Sequence, residues 1–245
     1  MILKADFHIH SCLSPCGDLS MSPIMIVNCL KSRGITLAAL TDHNSTLNCP
    51  AFMNLCKQNN IACLVGMEVQ TIEEVHVLCL FADLNIATKF GEEIYELMPF
   101  IQNQPDSTGD QVYVDENEEI LGEVEKYLIT SAEINIDDLT QRVHSYGGLV
   151  IPAHVDRSAF SLTSQLGFIP HGDFDALETV QLNLQNLPKY CNISGYPITH
   201  SSDAHYPEHV ARRFTEIDIG DLPLYTKEGL VNLSTIKIGL NKLKF

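Results

Sequence analysis

The sequence predicts an α/β fold built on a mostly parallel sheet. Three observations carry that expectation. Strand-like apolar runs alternate with helical segments through the first half of the chain. The 245 residues, 45% of them hydrophobic, suffice for one domain with a sizeable core, and this is the usual size of an α/β barrel. Several apolar runs also end in histidine, aspartate or glutamate, at the strand ends where parallel barrels carry their chemistry.

Residues 2–10 alternate towards His8 and His10 and read as a strand. Ser22-Pro23 then supplies a cap and a first-turn proline for a helix through Ile24, Ile26, Val27 and Leu30, closed by Gly34. Residues 35–41 read as a second strand, and Pro50 opens a short helix to about Asn59. A third strand, almost wholly apolar, spans 61–69, and a fourth spans 75–82. Residues 86–104 read as a helix, and Pro105-Asp106-Ser107-Thr108-Gly109 is turn chemistry. The acidic stretch Asp115–Glu119 lies between Val112/Val114 and Ile120/Leu121 like a hairpin tip. Residues 105–130 therefore read as an insertion within a single domain of 1–245, either a lid or a plain surface excursion. Ile136–Tyr146 is helical, with Asp137 and Asp138 in its first turn and Gly147-Gly148 ending it. Leu149–Val155 is a strand carrying His154; 175–182, 196–202 and 213–219 are further strands, and a helix is expected around 234–243.

The 31 acidic and 15 basic residues give a net charge of −16, which argues against an extended nucleic-acid surface. A nucleotide substrate stays open, because bound cations reverse the field inside a pocket. No apolar run approaches the ~20 residues of a membrane span, and the N-terminus enters a strand at once, with no secretory pattern. The eight cysteines form no CxxC pair and mostly sit among apolar residues, as in a reducing cytoplasm. Cys12 and Cys16 flank the first histidine pair, within reach of a metal, but hard-ligand sites seldom recruit thiolates and neither is expected as a ligand.

His8 and His10 are two apart on a strand, so both imidazoles point to one face and can share a cation. Asp203 and His205 repeat that relation near the other end of the chain. In a closed barrel the first and last strands are neighbours, so the two pairs would meet. Glu68, after the apolar run 61–67, would be a buried carboxylate without a partner, a cost that a cation removes. His43 in Thr41-Asp42-His43, His76 and His154 each lie in or at the end of an apolar run. Taken singly, His76 and His154 would read as buried, hydrogen-bonded histidines; the set together reads as a site for two or three divalent cations serving hydrolysis.

The order HxH, Asp18, TDH, GxE, His76, AH and SDAH, spanning residues 6 to 205, resembles the polymerase and histidinol phosphatase (PHP) domain family. The resemblance implies a distorted, TIM-like (β/α)7 barrel with a trinuclear divalent metal site at the C-terminal strand ends. It assigns His8, His10, Glu68 and Asp203 to the first metal, Glu68 (bridging), His76 and His154 to the second, and Asp18, His43 and His205 to the third. A carboxylate at Asp18 favours Mn²⁺ or Fe²⁺ over Zn²⁺ at that metal. Asp6 and Asp42 either orient ligand imidazoles or serve as caps and loop residues.

The implied chemistry is hydrolysis of a phosphate ester by a metal-bridging hydroxide, with Glu68 and Asp203 acting through the metals they hold. Arg157, just past the His154 strand, is the expected phosphate contact, against the alternative of an ion pair with Asp156 or another acid. Arg212 and Arg213 are further phosphate candidates, and His171 and His209 are candidates for leaving-group acid. The expected substrate is a small phosphate ester. The alternatives are a nucleotide bisphosphate phosphatase or 5′-to-3′ exonuclease on nucleic-acid ends, a non-catalytic metal-binding module, and hydrolysis of a C–N bond.

Overall fold

The structure is a computed structural model describing residues 1–245. In chain order its elements are β1 (Ile2–Asp6), α1 (Pro23–Ser32), β2 (Leu37–Leu40), α2 (Cys49–Gln58), β3 (Ala62–Gln70), β4 (His76–Phe81), α3 (Leu84–Leu97), α4 (Pro105–Thr108), β5 (Val112–Val114), β6 (Ile120–Glu123), α5 (Ile136–Ser145), β7 (Leu149–Pro152), α6 (Leu162–Leu166), β8 (Leu177–Glu178), β9 (Ile198–Thr199), β10 (Thr215–Asp218) and α7 (Leu233–Asn241). Six strands form one curled, half-barrel sheet in the order β10-β1-β2-β3-β4-β7. Strands β8 and β9 pair separately, over two residues each.

The sheet is mixed rather than mostly parallel, which corrects the sequence expectation. Only β1–β2 and β2–β3 are parallel; β1–β10, β3–β4 and β4–β7 are antiparallel. The physical reason is the short link 71–75 between β3 and β4. A parallel crossover needs a dozen or more residues, so a link this short forces a hairpin. Chain reversal there places His76, the first residue of β4, opposite Gln70, the last of β3. His76 consequently reaches the same sheet edge as the C-terminal ends of β1, β2, β3 and β7, although it starts its own strand.

Helices form where local chemistry starts and stops them. Ser22 Oγ caps α1 by accepting from Met25 N, Pro23 opens its first turn, and Gly34 follows at φ 69°. Helix α3 ends at Leu97, short of the expected 104, because Met98 precedes Pro99 and is held extended (ψ 138°). Asn135 caps α5 through Asp138 N, and Asn232 caps α7 through Thr235 N. Alternate residues of β2 and β3 fill opposite faces: Ala38, Leu40, Val65 and Met67 pack with helices α1, α2, α3 and α5, whereas Leu37, Ala39, Ala62 and Leu64 pack with β10 and α7. No helix is long and apolar enough to cross a membrane, and all eight cysteines are free.

Segment 105–130 carries α4 and the β5–β6 hairpin. Its Val112 and Val114 pack on Cys12, Val114 N donates to Asn48 Oδ1, and Ser22 Oγ donates to Glu118 Oε1. It is thereby fastened across the loop that follows His10.

The β3–β4 hairpin leaves no room for a side chain at Gly66, where an added Cβ would lie 1.9 Å from the Cys79 carbonyl oxygen. Gly66→Ala must push the strands apart two residues before Glu68. It is expected to cost about 3 kcal/mol, or roughly 6–12 °C in Tm for a chain of this size. Thermal unfolding measures this; an unchanged Tm would mean that the ladder yields freely.

Candidate metal centre

The chain leaving β1 is stitched between two neighbours. Thr41 N donates to Ile9 O, and His10 N donates to Ala204 O (3.0 Å), with Ile9 and Ala204 bridging in parallel. His8 and His10 therefore meet Asp203 because residues past β1 pair with the 202–205 loop. Their Nε2 atoms are 3.1 Å apart, and Asp203 Oδ1 lies 3.4 Å from His8 Nε2 and 3.5 Å from His10 Nε2. Two imidazole nitrogens at that distance can share only one proton, so at least one lone pair is aimed inward.

Glu68 sits at the middle of the group. Oε1 lies 3.1 Å from His8 Nε2, 3.0 Å from His76 Nδ1 and 3.3 Å from His154 Nε2. Oε2 lies 3.1 Å from His43 Nδ1 and 3.4 Å from His10 Nε2. Five imidazoles thus surround one carboxylate that is 1% exposed. His205 stacks on His10 with ring centroids 4.3 Å apart. Asn44, His154 and Asp203 all adopt positive φ (47°, 30° and 48°), so the loops leaving the sheet edge hold strained turns where these side chains are displayed.

Burial opposes ionisation throughout, and local charge overrides it unevenly. Burial alone would lower His8, but the Glu68, Glu178 and Asp203 carboxylates raise it well above the ordinary imidazole range. Burial likewise opposes the charged forms of Glu68 and Asp203. For Glu68 the surrounding His76, His8 and His43 win, and for Asp203 His8 and His10 win, so both are held well below the usual carboxylate range. His10 is pushed down to about 4 by burial and the neighbouring His205, and burial also holds His43 well below the ordinary imidazole range.

Despite this proximity, His43 Nδ1, Glu68 Oε1, His154 Nδ1, Glu178 Oε2 and Asp203 Oδ2 are buried without any aligned hydrogen-bond partner. Buried polar atoms are normally paired. A cluster of imidazole and carboxylate lone pairs facing one another, with orphaned atoms among them, fits divalent cations. Three groups have ligand atoms mutually within 4.8 Å: His8, His10 and Asp203; His43, Glu68 and His76; and His10, Cys16, His43 and His205.

Of the nine residues predicted as ligands, the structure brings together His8, His10, His43, Glu68, His76, His154, Asp203 and His205. It does not bring in Asp18. That side chain is exposed and turned back on its own loop, accepting from Ser20 N (2.9 Å) and Ser20 Oγ (2.6 Å). The Ser14–Gly17 turn, closed by Gly17 N to Ser14 O at 2.8 Å, presents the Cys16 thiol to the cluster instead.

Other side chains fix the imidazoles from behind. Glu178 Oε1 lies 3.0 Å from His8 Nδ1 and also accepts from His154 N. Ser14 Oγ lies 3.0 Å from His10 Nδ1 and donates to Asp42 Oδ1 at 2.7 Å, so Asp42 orients His10 through a serine. Gln70 Oε1 lies 3.2 Å from His76 Nε2, and the Phe160 ring stacks on His76 at 4.9 Å. In each case the far nitrogen is engaged and the near one is left to face the cluster. Asp6 touches no imidazole; it accepts from Ser202 N and Ala211 N and so holds the 202–211 loop, and burial raises its carboxyl to about 6. Sequence reasoning missed Ser14, Gln70 and Glu178. Glu178 had a signal, an acid following the apolar Ala176-Leu177, which is the same argument that picked out Glu68.

Arg157 is partly exposed, its Nη2 2.5 Å from Asp203 Oδ2 in a charge contact that is not an aligned hydrogen bond. Asp156 is not its partner, being occupied by Val180 N and Gln181 N. Arg212 and Arg213 donate to the Ser201 and Ser202 carbonyls and brace the loop. His171 is exposed, and His209 packs edge-on to Tyr206.

Glu178→Gln keeps the side-chain shape but removes the charge behind His8. Divalent-cation affinity measured by calorimetry should fall about 10–100-fold with the fold intact. Unaltered affinity would make Glu178 a packing residue only.

The PHP domain family matches residues 6–234. Among solved structures the fold is similar to the lesion-specific endonuclease Q from Pyrococcus furiosus, with TM-score 0.64, 18% identity, and coverage of 99% of this chain and 56% of that one. An endonuclease Q complex with a 27-mer duplex bearing an abasic lesion at the active site matches with TM-score 0.64 and 18% identity, over 99% of this chain and 57% of that one. The chain thus spans little more than half the length of these endonucleases. A candidate metal-dependent phosphoesterase from Bifidobacterium adolescentis matches with TM-score 0.57 and 17% identity, over 96% of this chain and 95% of that one. No curated protein matches the sequence. With the family match running through almost the whole chain, over a sheet edge that gathers its histidines and carboxylates, the chain belongs to the PHP domain family.

Proposed function

We propose that this protein is a metal-dependent phosphoesterase acting on a small phosphate ester, with Glu68 as the carboxylate shared between cations. The observation that carries the reading is Glu68 itself, buried among five imidazoles at 3.0–3.4 Å. His8, His10 and Asp203 with Glu68 would hold one cation, His76 and His154 with Glu68 a second, and His43 and His205 belong to a third position. When bound, the cations supply an activated water near neutral pH and neutralise phosphate oxygens.

The protein's own residues provide the rest. Glu178, Ser14 with Asp42, and Gln70 hold imidazoles in one orientation, so little reorganisation is needed at the moment of reaction. Arg157 rests against Asp203 Oδ2. Its guanidinium, 41% exposed, would take non-bridging phosphate oxygens through its paired donors. The net charge of −16 repels long polyanions outside the pocket and suits a compact substrate in a reducing cytoplasm. Residues 1–245 would act as one domain, with 105–130 an insertion that braces the loop after His10.

A second reading, action on damaged or terminal nucleic acid, is favoured by the likeness to endonuclease Q. A panel of phosphomonoesters, phosphodiesters, nucleotide bisphosphates and an abasic-site duplex, each with Mn²⁺, Fe²⁺ and Zn²⁺, separates the two. The proposal expects turnover of small esters; cleavage of the duplex alone would replace it with the second reading.

Two substitutions test the roles. Glu68→Gln should abolish turnover and lower metal content, and near-normal turnover with full occupancy would make Glu68 structural. Arg157→Ala should leave Tm nearly unchanged and lower kcat/KM by about two orders of magnitude, or ~3 kcal/mol of transition-state stabilisation. A large fall in Tm with activity per folded molecule preserved would make Arg157 an ion-pair residue of the fold.

A further inference from the structure

Cys16 stands where the sequence reading expects Asp18, and the exchange changes the kind of metal the position suits. The loop after His10 is tied down by Cys12 N to Met21 O, Met21 N to Asp18 O and Asp18 N to His205 O, each 2.9 Å. Within it, the Cys16 sulfur joins nitrogens of His10, His43 and His205, all within 4.8 Å of one another. His10 brings only one nitrogen to the cluster, because Ser14 takes Nδ1, and its Nε2 already faces His8, Glu68 and Asp203. Cys16, His43 and His205 are therefore the donors that belong to this corner. His43 is 4% exposed, and its Nδ1, 3.1 Å from Glu68 Oε2, makes no aligned hydrogen bond.

We propose that Cys16, His43 and His205 form a thiolate–bis-imidazole site that selects a soft, tetrahedral cation such as Zn²⁺, leaving the fourth position open towards solvent. This rests on the metal-centre reading above and goes beyond it in assigning a thiolate and a metal class. One thiolate and two imidazoles with an open position is a donor set that catalytic zinc sites use, whereas Mn²⁺ and Mg²⁺ prefer oxygen. As the sulfur–metal bond forms, the thiol proton leaves to solvent. Metal preference at this corner thus runs towards Zn²⁺, opposite to the preference a carboxylate at residue 18 would have produced.

Cobalt(II) reports the difference, because a cysteine thiolate ligand adds a near-ultraviolet sulfur-to-cobalt charge-transfer band. Metal-free full-length protein is titrated with Co²⁺ alone. The expected result is a thiolate band in the wild type that is lost in Cys16→Ser and kept in Asp18→Asn, with circular dichroism confirming the fold of each. Zn²⁺ affinity at the matching step should fall at least tenfold in Cys16→Ser, with Mn²⁺ binding little altered. Three results overturn the proposal: visible cobalt bands with no thiolate band, a thiolate band that survives Cys16→Ser, or one lost in Asp18→Asn. Any of these leaves the metal centre standing. Failure of the wild type to bind Co²⁺ at all overturns the proposal and the metal-centre reading together.

Discussion

The structure depends on burying the Glu68 carboxylate. A lone carboxylate at that depth costs several kcal/mol in lost hydration. Here the carboxylate is held ionised by the histidines around it, while orphaned nitrogens and oxygens remain within the same few ångströms. Such a cluster is poorly balanced as protein alone and well balanced with positive charge at its centre. The remaining architecture presents its side chains to that point.

The sheet does this by ending strands at one edge, whatever their direction. His8 and His10 follow β1, His43 follows β2, Glu68 lies near the end of β3, and His154 follows β7. His76 begins β4, and the tight β3–β4 reversal returns it to the same edge. The edge is then locked by loop contacts from far along the chain: Asp6 to Ser202 and Ala211, Asp42 to Ser11 and Ser14, and Glu178 to His8 and His154. Glu178 and, through Ser14, Asp42 hold both a loop and an imidazole, whereas Asp6 holds the 202–211 loop alone.

Much of this was legible in the sequence because strand ends and period-two spacing are local properties. His8/His10 and Asp203/His205 announce themselves by spacing, and Glu68 by an acid closing an apolar run. Strand direction was less visible, although the short break after residue 69 already excluded a parallel crossover into the fourth strand. The expected strands 175–182 and 196–202 shrink to Leu177–Glu178 and Ile198–Thr199, since pairing partners are a tertiary matter. Ligand chemistry and the family pattern point to Asp18 rather than Cys16, but both follow His10 in one loop, and the Ser14–Gly17 turn places the Cys16 side chain, not Asp18, beside the histidines. Ser14 and Gln70 carry no signal in sequence, as their roles consist of single contacts to His10 and His76.

The central claim is that the Glu68 cluster is completed by cations. Thermal unfolding of metal-free protein, followed while Zn²⁺ or Mn²⁺ is added and bound metal is counted, tests it most directly. The account predicts saturable binding of two or three ions per chain. Tm should rise with occupancy, approaching ~2.7 kcal/mol of added stability for each site at a hundredfold excess over its Kd. A Tm indifferent to divalent cations, with no stoichiometric binding, would contradict it and leave the buried carboxylate balanced by its histidines alone.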